Sequence, residues 1–344
     1  MSERTPIRLA CFSRLVDRRS IAVSALLLGL CLALGWVSLM VGKHTIAATD
    51  VFHTLMGHGT RPHTFIIEQL RMPRLLMACL VGAALSVSGL ILQSIVRNPL
   101  ASPDIMGITG GASAAAVGFL SFLAPVMSQR WLPLFAIGGA LSTAIVVYVL
   151  AFRRGTTPMR LVLTGIGIST LMAAITTLFL VISPLSSTLT AYVWLTGSVF
   201  GATWPDVRSM IYCLLLTLPG LIIVSRKVGI LELDDALATG LGVHVQGTRL
   251  ILLALSVALA GSAVAHVGAI AFVGLIAPHI ARAFVPHTFA GLATVSALTG
   301  ALLVAGADLA GRTLFLPLDL PAGMFVSGLG ALFFVYLLMR QLRK

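Results

Sequence analysis

Charged residues are scarce in this sequence. Asp, Glu, Lys and Arg make up 10% of its 344 residues, while 58% are hydrophobic, and an ordinary soluble domain has roughly 25% charged residues. Several apolar runs approach the ~20 residues that a helix needs to cross a bilayer. The alternation in ~10-residue segments that is typical of a transmembrane barrel is missing. This composition excludes an ordinary soluble domain and predicts an all-α polytopic membrane protein.

Motifs for chemistry are also missing. The sequence has no GxxxxGK[ST] phosphate loop, so we expect no nucleotide site and no catalytic residue in this chain. It has no HExxH, and its four cysteines lack metal-ligand spacing, so we expect no metal site. The alternative is a metal site at His279, or at the histidines at 53, 58 and 63. Neither set has a carboxylate at ligand spacing. The net charge is +12. The basic residues behind it flank apolar spans rather than forming one basic face, so nucleic acid is not an expected partner.

The apolar runs predict the topology. We expect a single transmembrane domain over residues 1–344 with about ten transmembrane helices, at 21–41, 70–96, 105–125, 132–152, 161–182, 210–225, 250–267, 269–285, 289–311 and 318–338. A basic arm at 1–20 precedes them, and a short interfacial helix is expected within 188–205. An even number of spans puts both termini on one side. Placing that side in the cytoplasm gives it sixteen of the 23 Lys and Arg residues, in agreement with the positive-inside rule.

One stretch carries a family resemblance. A small-residue apolar helix stops at Arg97, where Pro99 disfavours its continuation, and a second follows Pro103 and Asp104. The stretch reads QSIVRNPLASPDIMGITGGA, and it closely resembles the signature of the ABC importer permeases that carry iron-siderophore complexes, haem and cobalamin across the bacterial inner membrane. The segments GLIAPHIAR at 274–282 and LDLPAGMFVSGLGA at 318–331 are similar to phrases of the same FecCD/BtuC-type family.

The resemblance implies a type II ABC importer permease fold in the bacterial cell inner membrane, with both termini cytoplasmic. It implies as partners a second permease subunit in a homo- or heterodimer, two ABC ATPase subunits that hold the ATP and Mg, a periplasmic substrate-binding protein and membrane lipid. The cargo is expected to be a ferric siderophore, with an enterobactin-like catecholate favoured and cobalamin or haem as the alternative.

Two other functions are alternatives to the importer. A proton-coupled secondary transporter needs several intramembrane ionisable groups that form a relay. Asp308 is one such group, and alone it does not make a relay. A metal-dependent intramembrane enzyme would need the metal site that the sequence does not offer. Arg312, four residues beyond Asp308, is the expected partner of its carboxylate.

Three arginines at the outer ends of the spans are expected to receive the binding protein. Arg71 and Arg74 share one helical face on the side where arginine is disfavoured, and the resemblance adds Arg312 to them. The alternative is that the arginines are membrane anchors that snorkel to the surface without a partner.

The resemblance also assigns a coupling segment and a gate. Residues 231–249 are expected to form two short polar helices that dock on the ATPase, carried by Leu231, Asp234, Asp235, Ala236, Gly240, Leu241 and Gly242. The cytoplasmic gate is expected at Asn98, Pro99, Leu100, Thr157, Pro158 and Met159. The family has hydroxyl side chains where this chain has Pro158 and Met159, which is a departure at the gate.

Overall fold

The computed structural model describes residues 4–9, 12–153, 155–286 and 288–342. Its helices, in chain order, are α1 (Arg18–Met40), α2 (Ala48–Leu55), α3 (Arg61–Thr64), α4 (Met72–Val96), α5 (Ile108–Gly118), α6 (Leu132–Ala151), α7 (Pro158–Ile182), α8 (Leu185–Leu195), α9 (Trp204–Leu231), α10 (Asp235–Gly240), α11 (Val245–Val267), α12 (Val273–Phe284), α13 (Phe289–Thr313) and α14 (Ala322–Leu342). π-helical turns at Phe65–Arg71 and Phe119–Leu123 and a 3₁₀ turn at Gln129–Trp131 extend α4, α5 and α6.

The described chain is helical apart from one hairpin. The antiparallel strands β1 (Arg4–Leu9) and β2 (Phe12–Asp17) lie in the predicted basic arm, directly before α1. Within the described ranges, seven helical segments are long and apolar enough to cross a membrane, and three shorter apolar helices lie at 108–123, 273–284 and 322–336. These ten coincide with the ten predicted spans, and α8 occupies the place of the interfacial helix. The prediction of an all-α polytopic fold is confirmed.

Helix α4 forms the centre of the bundle. In its most apolar stretch 72% of residues are buried, against 6% for α1, and α4 packs on α9, α11, α12 and α13. A Cβ at Gly82 would lie 2.1 Å from the Gly300 carbonyl oxygen of α13, and one at Gly89 would lie 1.9 Å from the Gly274 carbonyl oxygen of α12. Small residues therefore allow backbones to touch, as the sequence predicted.

The elbow between α4 and α5 spans residues 97–107. Arg97 ends α4 in the left-handed conformation at φ 56°, and Gly107 precedes α5 at φ 78°. The second helix was expected to restart at 105, but it begins at Ile108. Asp104 does not cap it: its half-buried side chain instead has the Thr109 side chain and the Phe272 backbone as polar neighbours. The elbow is thereby tied to the start of α12.

Pro278 lies inside α12 without breaking it. A proline leaves the carbonyl four residues earlier without its helical donor, and here that carbonyl belongs to Gly274. Gln93 Nε2 of α4 donates to it at 3.2 Å, while Arg282 of α12 donates to Gln93 Oε1. The freed carbonyl is therefore used to join α12 to α4.

Candidate functional site: an arginine cluster and an elbow network

Two groups of polar residues lie at opposite ends of α4. The arginine cluster consists of Arg71, Arg74, Asp308, Arg312 and Asp319, and the elbow network consists of Arg97, Thr156, Asp235, Gln246 and Arg249. The end of the bundle that holds the arginine cluster is the arginine end, and the end that holds the elbow network is the elbow end. A hydrophobic interior separates the two groups, so each is a distinct candidate site.

In the arginine cluster, Arg71 and Arg312 bind the chain's own backbone. Arg71 donates to the carbonyls of Leu39, Met40 and His44, and Arg312 donates to those of Ser38 and Val41. Both side chains are buried. Because helix C-terminal carbonyls attract cations, the two arginines fix the end of α1 against α4 and α13.

This geometry differs from an exposed ring of three docking arginines. The donors of Arg71 and Arg312 are directed into the protein, and a partner's carboxylate would have to replace carbonyls that hold α1. The sequence could not show this, since a side chain's partners depend on which helix ends meet. A docking role for these two residues stays a prediction, and the structure gives them a packing role.

Arg74 lies between two carboxylates. Its Nε donates to Asp308 Oδ1 at 2.9 Å and Oδ2 at 3.1 Å, while its two terminal nitrogens donate to Asp319 at 2.7 Å each. The Phe200 ring centroid lies 5.4 Å from the guanidinium carbon, a cation–π distance. Arg74 therefore joins α4, α13 and the α13–α14 loop, beneath an aromatic ring from the α8–α9 connection.

The expected pairing of Asp308 with Arg312 is present as an ion pair, but Arg74 is the closer and hydrogen-bonded partner. Arg312 Nε lies 3.7 Å from Asp308 Oδ2, without a hydrogen bond, whereas Arg74 NH2 lies 2.8 Å from Asp308 Oδ1. Spacing along α13 identified a neighbour of Asp308 but missed a closer partner from α4.

Asp319 is a site residue that sequence reasoning missed. It lies in the segment LDLPAG, at the second position of the predicted tenth span, and a carboxylate at the end of a span was the signal available. The hydrogen bonds from Arg74 are the main cause that holds the pKa of Asp319 below its usual range. It is ionised at neutral pH.

The arginine cluster faces a pocket of about 440 Å³, lined also by Lys43 and Phe200. Its lining holds four cations, Lys43 and the three arginines, and one aspartate, Asp319, so the pocket has an excess of positive charge. Such a pocket attracts carboxylates and other anions.

In the elbow network, Asp235 receives two arginines. Arg97 donates from Nε to the Leu231 carbonyl at 2.9 Å and from NH2 to Asp235. Arg249 NH2 donates to Asp235 at 3.1 and 3.2 Å. Burial opposes ionisation of Asp235, but the two arginines outweigh it and hold its pKa below the usual range. The elbow, α10 and α11 therefore share one carboxylate.

The turn before α7 is tied to the same network. Arg249, which is 2% exposed, also donates to the Thr156 carbonyl. Gln246 Oε1 accepts from the Thr156 backbone N–H at 2.9 Å and from its hydroxyl at 2.8 Å, and Gln246 Nε2 donates back to the Thr156 carbonyl at 3.2 Å. The predicted gate residues Thr157, Pro158 and Met159 follow directly and begin α7. Asn98, in the elbow, accepts from the Leu100 N–H.

The predicted coupling segment contains one short helix rather than two. After α10 the chain turns at Gly242, φ 80°, and enters α11 at Val245, so the second expected helix is the first turn of α11. Asp234 precedes α10 without a side-chain cap, and Asp235 is used by the network. Leu237 and Leu241 are 61% and 63% exposed and form an apolar spot one helical turn apart.

Among the residues that the structure describes, no group of three or more His, Cys, Asp or Glu side chains is placed to hold a metal ion. His279, which the sequence offered as a candidate ligand, packs edge-on against Phe333 with ring centroids 5.4 Å apart.

These features define a ten-span helical membrane protein with polar clusters at both ends of a central helix. The FecCD transport family model matches residues 30–340. The achromobactin transport system permease protein CbrC of Dickeya dadantii (strain 3937) is 56% identical over 330 residues, which cover 96% of this chain and 95% of that protein. The ferric enterobactin transport system permease protein FepG of Escherichia coli (strain K12) is 38% identical, covering 96% and 99%.

A solved structure agrees with these relatives. It is described as an inward-facing conformation of a metal-chelate type ABC transporter, and it superposes with a TM-score of 0.85 at 28% identity over 93% of this chain and 99% of that chain. The chain belongs to the FecCD transport family. The family that the elbow sequence resembled is thereby confirmed.

Proposed function

We propose that the chain is the membrane permease subunit of an ABC importer that moves a ferric siderophore from the periplasm to the cytoplasm. The observation that carries this proposal is the 56% identity to an achromobactin permease over nearly the whole of both chains. The chain itself makes and breaks no bond in this account. ATP and Mg act on partner ATPase subunits.

The cargo is the finer part of the proposal. The sequence favoured an enterobactin-like catecholate, but the enterobactin permease is 38% identical and the achromobactin permease 56%. The difference favours ferric achromobactin over ferric enterobactin as the first cargo to test. Cobalamin and haem stay as alternatives within the same transport mechanism.

The two polar groups support an arrangement of partners. We assign the arginine end to the periplasm, where the binding protein delivers its load near Arg74, and the elbow end to the cytoplasm, where α10 meets an ATPase subunit. A second permease chain would complete the pathway. The most apolar stretches of α1 and α7 are only 6% and 11% buried within this chain, so both leave surface for lipid and a second chain to cover.

The elbow network supports a route from ATPase to gate. Closure of the ATPase pair on ATP would move α10, and Asp235 would pass the movement through Arg249 to Thr156 and through Arg97 to the elbow. Because ATP binds the closed pair more tightly, it biases the permease toward one of two states. The gate residues lie at the ends of these connections: Asn98 to Leu100 follow Arg97, and Thr157 to Met159 follow Thr156.

Competitive uptake tests the cargo. The assembled importer is reconstituted in vesicles with its loaded binding protein and ATP, and uptake of radioactive iron or cobalt is measured for ferric achromobactin, ferric enterobactin, haem and cobalamin. We expect a ferric siderophore to be taken up in preference to the other two classes. Preference for cobalamin or haem would contradict the ferric siderophore proposal and leave the importer mechanism intact.

A further inference from the structure

The Arg74 guanidinium has two edges, and each is occupied by a different aspartate. Nε and NH2 form the side edge, which faces Asp308. NH1 and NH2 form the end edge, where Asp319 makes two parallel bonds of 2.7 Å. Two parallel bonds of this kind are the geometry with which arginine recognises a carboxylate of a partner. The edge suited to an outside carboxylate is thus already filled from within.

The two aspartates differ in accessibility. The Asp308 side chain is 4% exposed within α13, whereas that of Asp319 is 21% exposed and lines the pocket of about 440 Å³. Asp319 belongs to the α13–α14 loop, whose neighbouring Leu314 and Leu318 are 69% and 64% exposed. Asp308 holds Arg74 from the buried side, and Asp319 can be reached from the pocket.

Within the cluster, the other arginines lack an edge of this kind. Arg71 and Arg312 donate to carbonyls that fix the end of α1, so an incoming carboxylate would have to break the backbone contacts of a spanning helix. Exchange at Arg74 replaces one carboxylate by another. Arg74 keeps its charge partner, and the cost of an unpaired charge is avoided.

We propose that Asp319 is an internal stand-in for an acidic side chain of the binding protein. On docking, a partner carboxylate displaces Asp319 from the end edge of Arg74, Asp308 retains the side edge, and the released α13–α14 loop moves away from the pocket. This inference rests on the proposed function and adds to it a competition within the permease. The movement of the α13–α14 loop would transmit docking to the start of α14.

Asp319→Asn tests the competition. The amide keeps the shape but loses the charge and one acceptor, so the stand-in is weakened. We expect the loaded binding protein to bind the complete importer in nanodiscs about threefold to tenfold more tightly, with the largest gain at low salt. Asp50→Asn, on α2 at the arginine end outside the cluster, is the matched control for loss of one negative charge, and it should leave the affinity nearly unchanged.

Arg74→Gln separates the exchange from docking itself. Both variants are first checked for assembly with the ATPase. Weaker binding by Arg74→Gln together with tighter binding by Asp319→Asn supports the exchange. If Arg74→Gln weakens binding but Asp319→Asn matches Asp50→Asn or binds less tightly, the stand-in role is wrong. If an assembled Arg74→Gln importer binds its partner normally, docking at Arg74 is wrong, and the exchange falls with it.

Discussion

At the scale of single residues, Arg249 joins two parts of the elbow end. Its guanidinium is almost fully buried and reaches both Asp235 and the Thr156 carbonyl. Removing the guanidinium takes away its bonds to both partners, at a combined cost of about 1–3 kcal/mol, while Arg97 still binds Asp235 and Gln246 still donates to Thr156. Arg249 therefore stabilises the fold and also connects α10 to the turn before α7.

We predict that Arg249→Met lowers the thermal stability of the purified protein by an amount equivalent to about 1–3 kcal/mol, and that it reduces uptake more than ATP hydrolysis. A double-mutant cycle with Asp235→Asn, read by thermal unfolding in detergent, should show non-additive effects because the two residues share a bond. Arg153→Met, at an exposed position near the same turn, is the control. Additive effects would show that the pair is not coupled.

The residues of the arginine cluster show what sequence reasoning can and cannot find. The disfavoured positions of Arg71 and Arg74 identified the cluster, and the cost of a carboxylate in a span identified Asp308 as paired. The predicted partner Arg312 is present at 3.7 Å, but the closer partner Arg74 was missed, since it is 234 positions away in sequence and spacing favours a near neighbour. Asp319 was missed because it is the second residue of the predicted span 318–338, and a carboxylate so near the end of a span can reach water without a partner.

At the scale of elements, apolar length and turn residues were sufficient for the ten spans. The π-helical turn at Phe65–Arg71 was not predictable, and it carries the second span back to Arg61. The segment 231–249 was predicted as two helices because polar residues and glycines fit short capped helices. In the structure, α11 begins early and absorbs the second of them.

The glycines of α4 test its packing as an element. We predict that Gly89→Val prevents the bundle from forming, because the added Cβ would lie 1.9 Å from a carbonyl oxygen of α12 and backbone atoms cannot move aside as a side chain can. The cost should reach or exceed the roughly 3 kcal/mol typical of severe overpacking. Gly29→Val, where an added Cβ meets no atom within 4 Å, should fold. Size-exclusion profiles of the fluorescently tagged variants provide the measurement, and a normal profile for Gly89→Val would contradict this packing.

Helix α10 tests the proposed ATPase contact. We predict that Leu237→Ser/Leu241→Ser removes an exposed apolar spot that fits the ATPase, so the permease stays folded but purifies with less ATPase and takes up less substrate. The control is Leu185→Ser/Leu189→Ser on α8, a leucine pair with the same spacing and exposures of 76% and 59%. Equal ATPase recovery with both double variants would show that α10 is not the contact.

At the scale of the whole molecule, α4 connects the two candidate sites. Arg74 near its start belongs to the arginine cluster, and Gln93 and Arg97 near its end bind α12 and the elbow network. A buried helix packed backbone to backbone on two neighbours is a rigid connection. Docking at one end and ATP-driven movement at the other would thus act on one body.

The most direct test of the central proposal asks which energy source drives transport. The permease is reconstituted with its partner permease chain, ATPase and loaded binding protein, and uptake of radioactive ferric siderophore is followed with ATP or with an imposed proton gradient. We expect uptake only with ATP and loaded binding protein, with no response to the proton gradient. Uptake driven by the proton gradient in vesicles that lack the ATPase would contradict the importer account and support a secondary transporter.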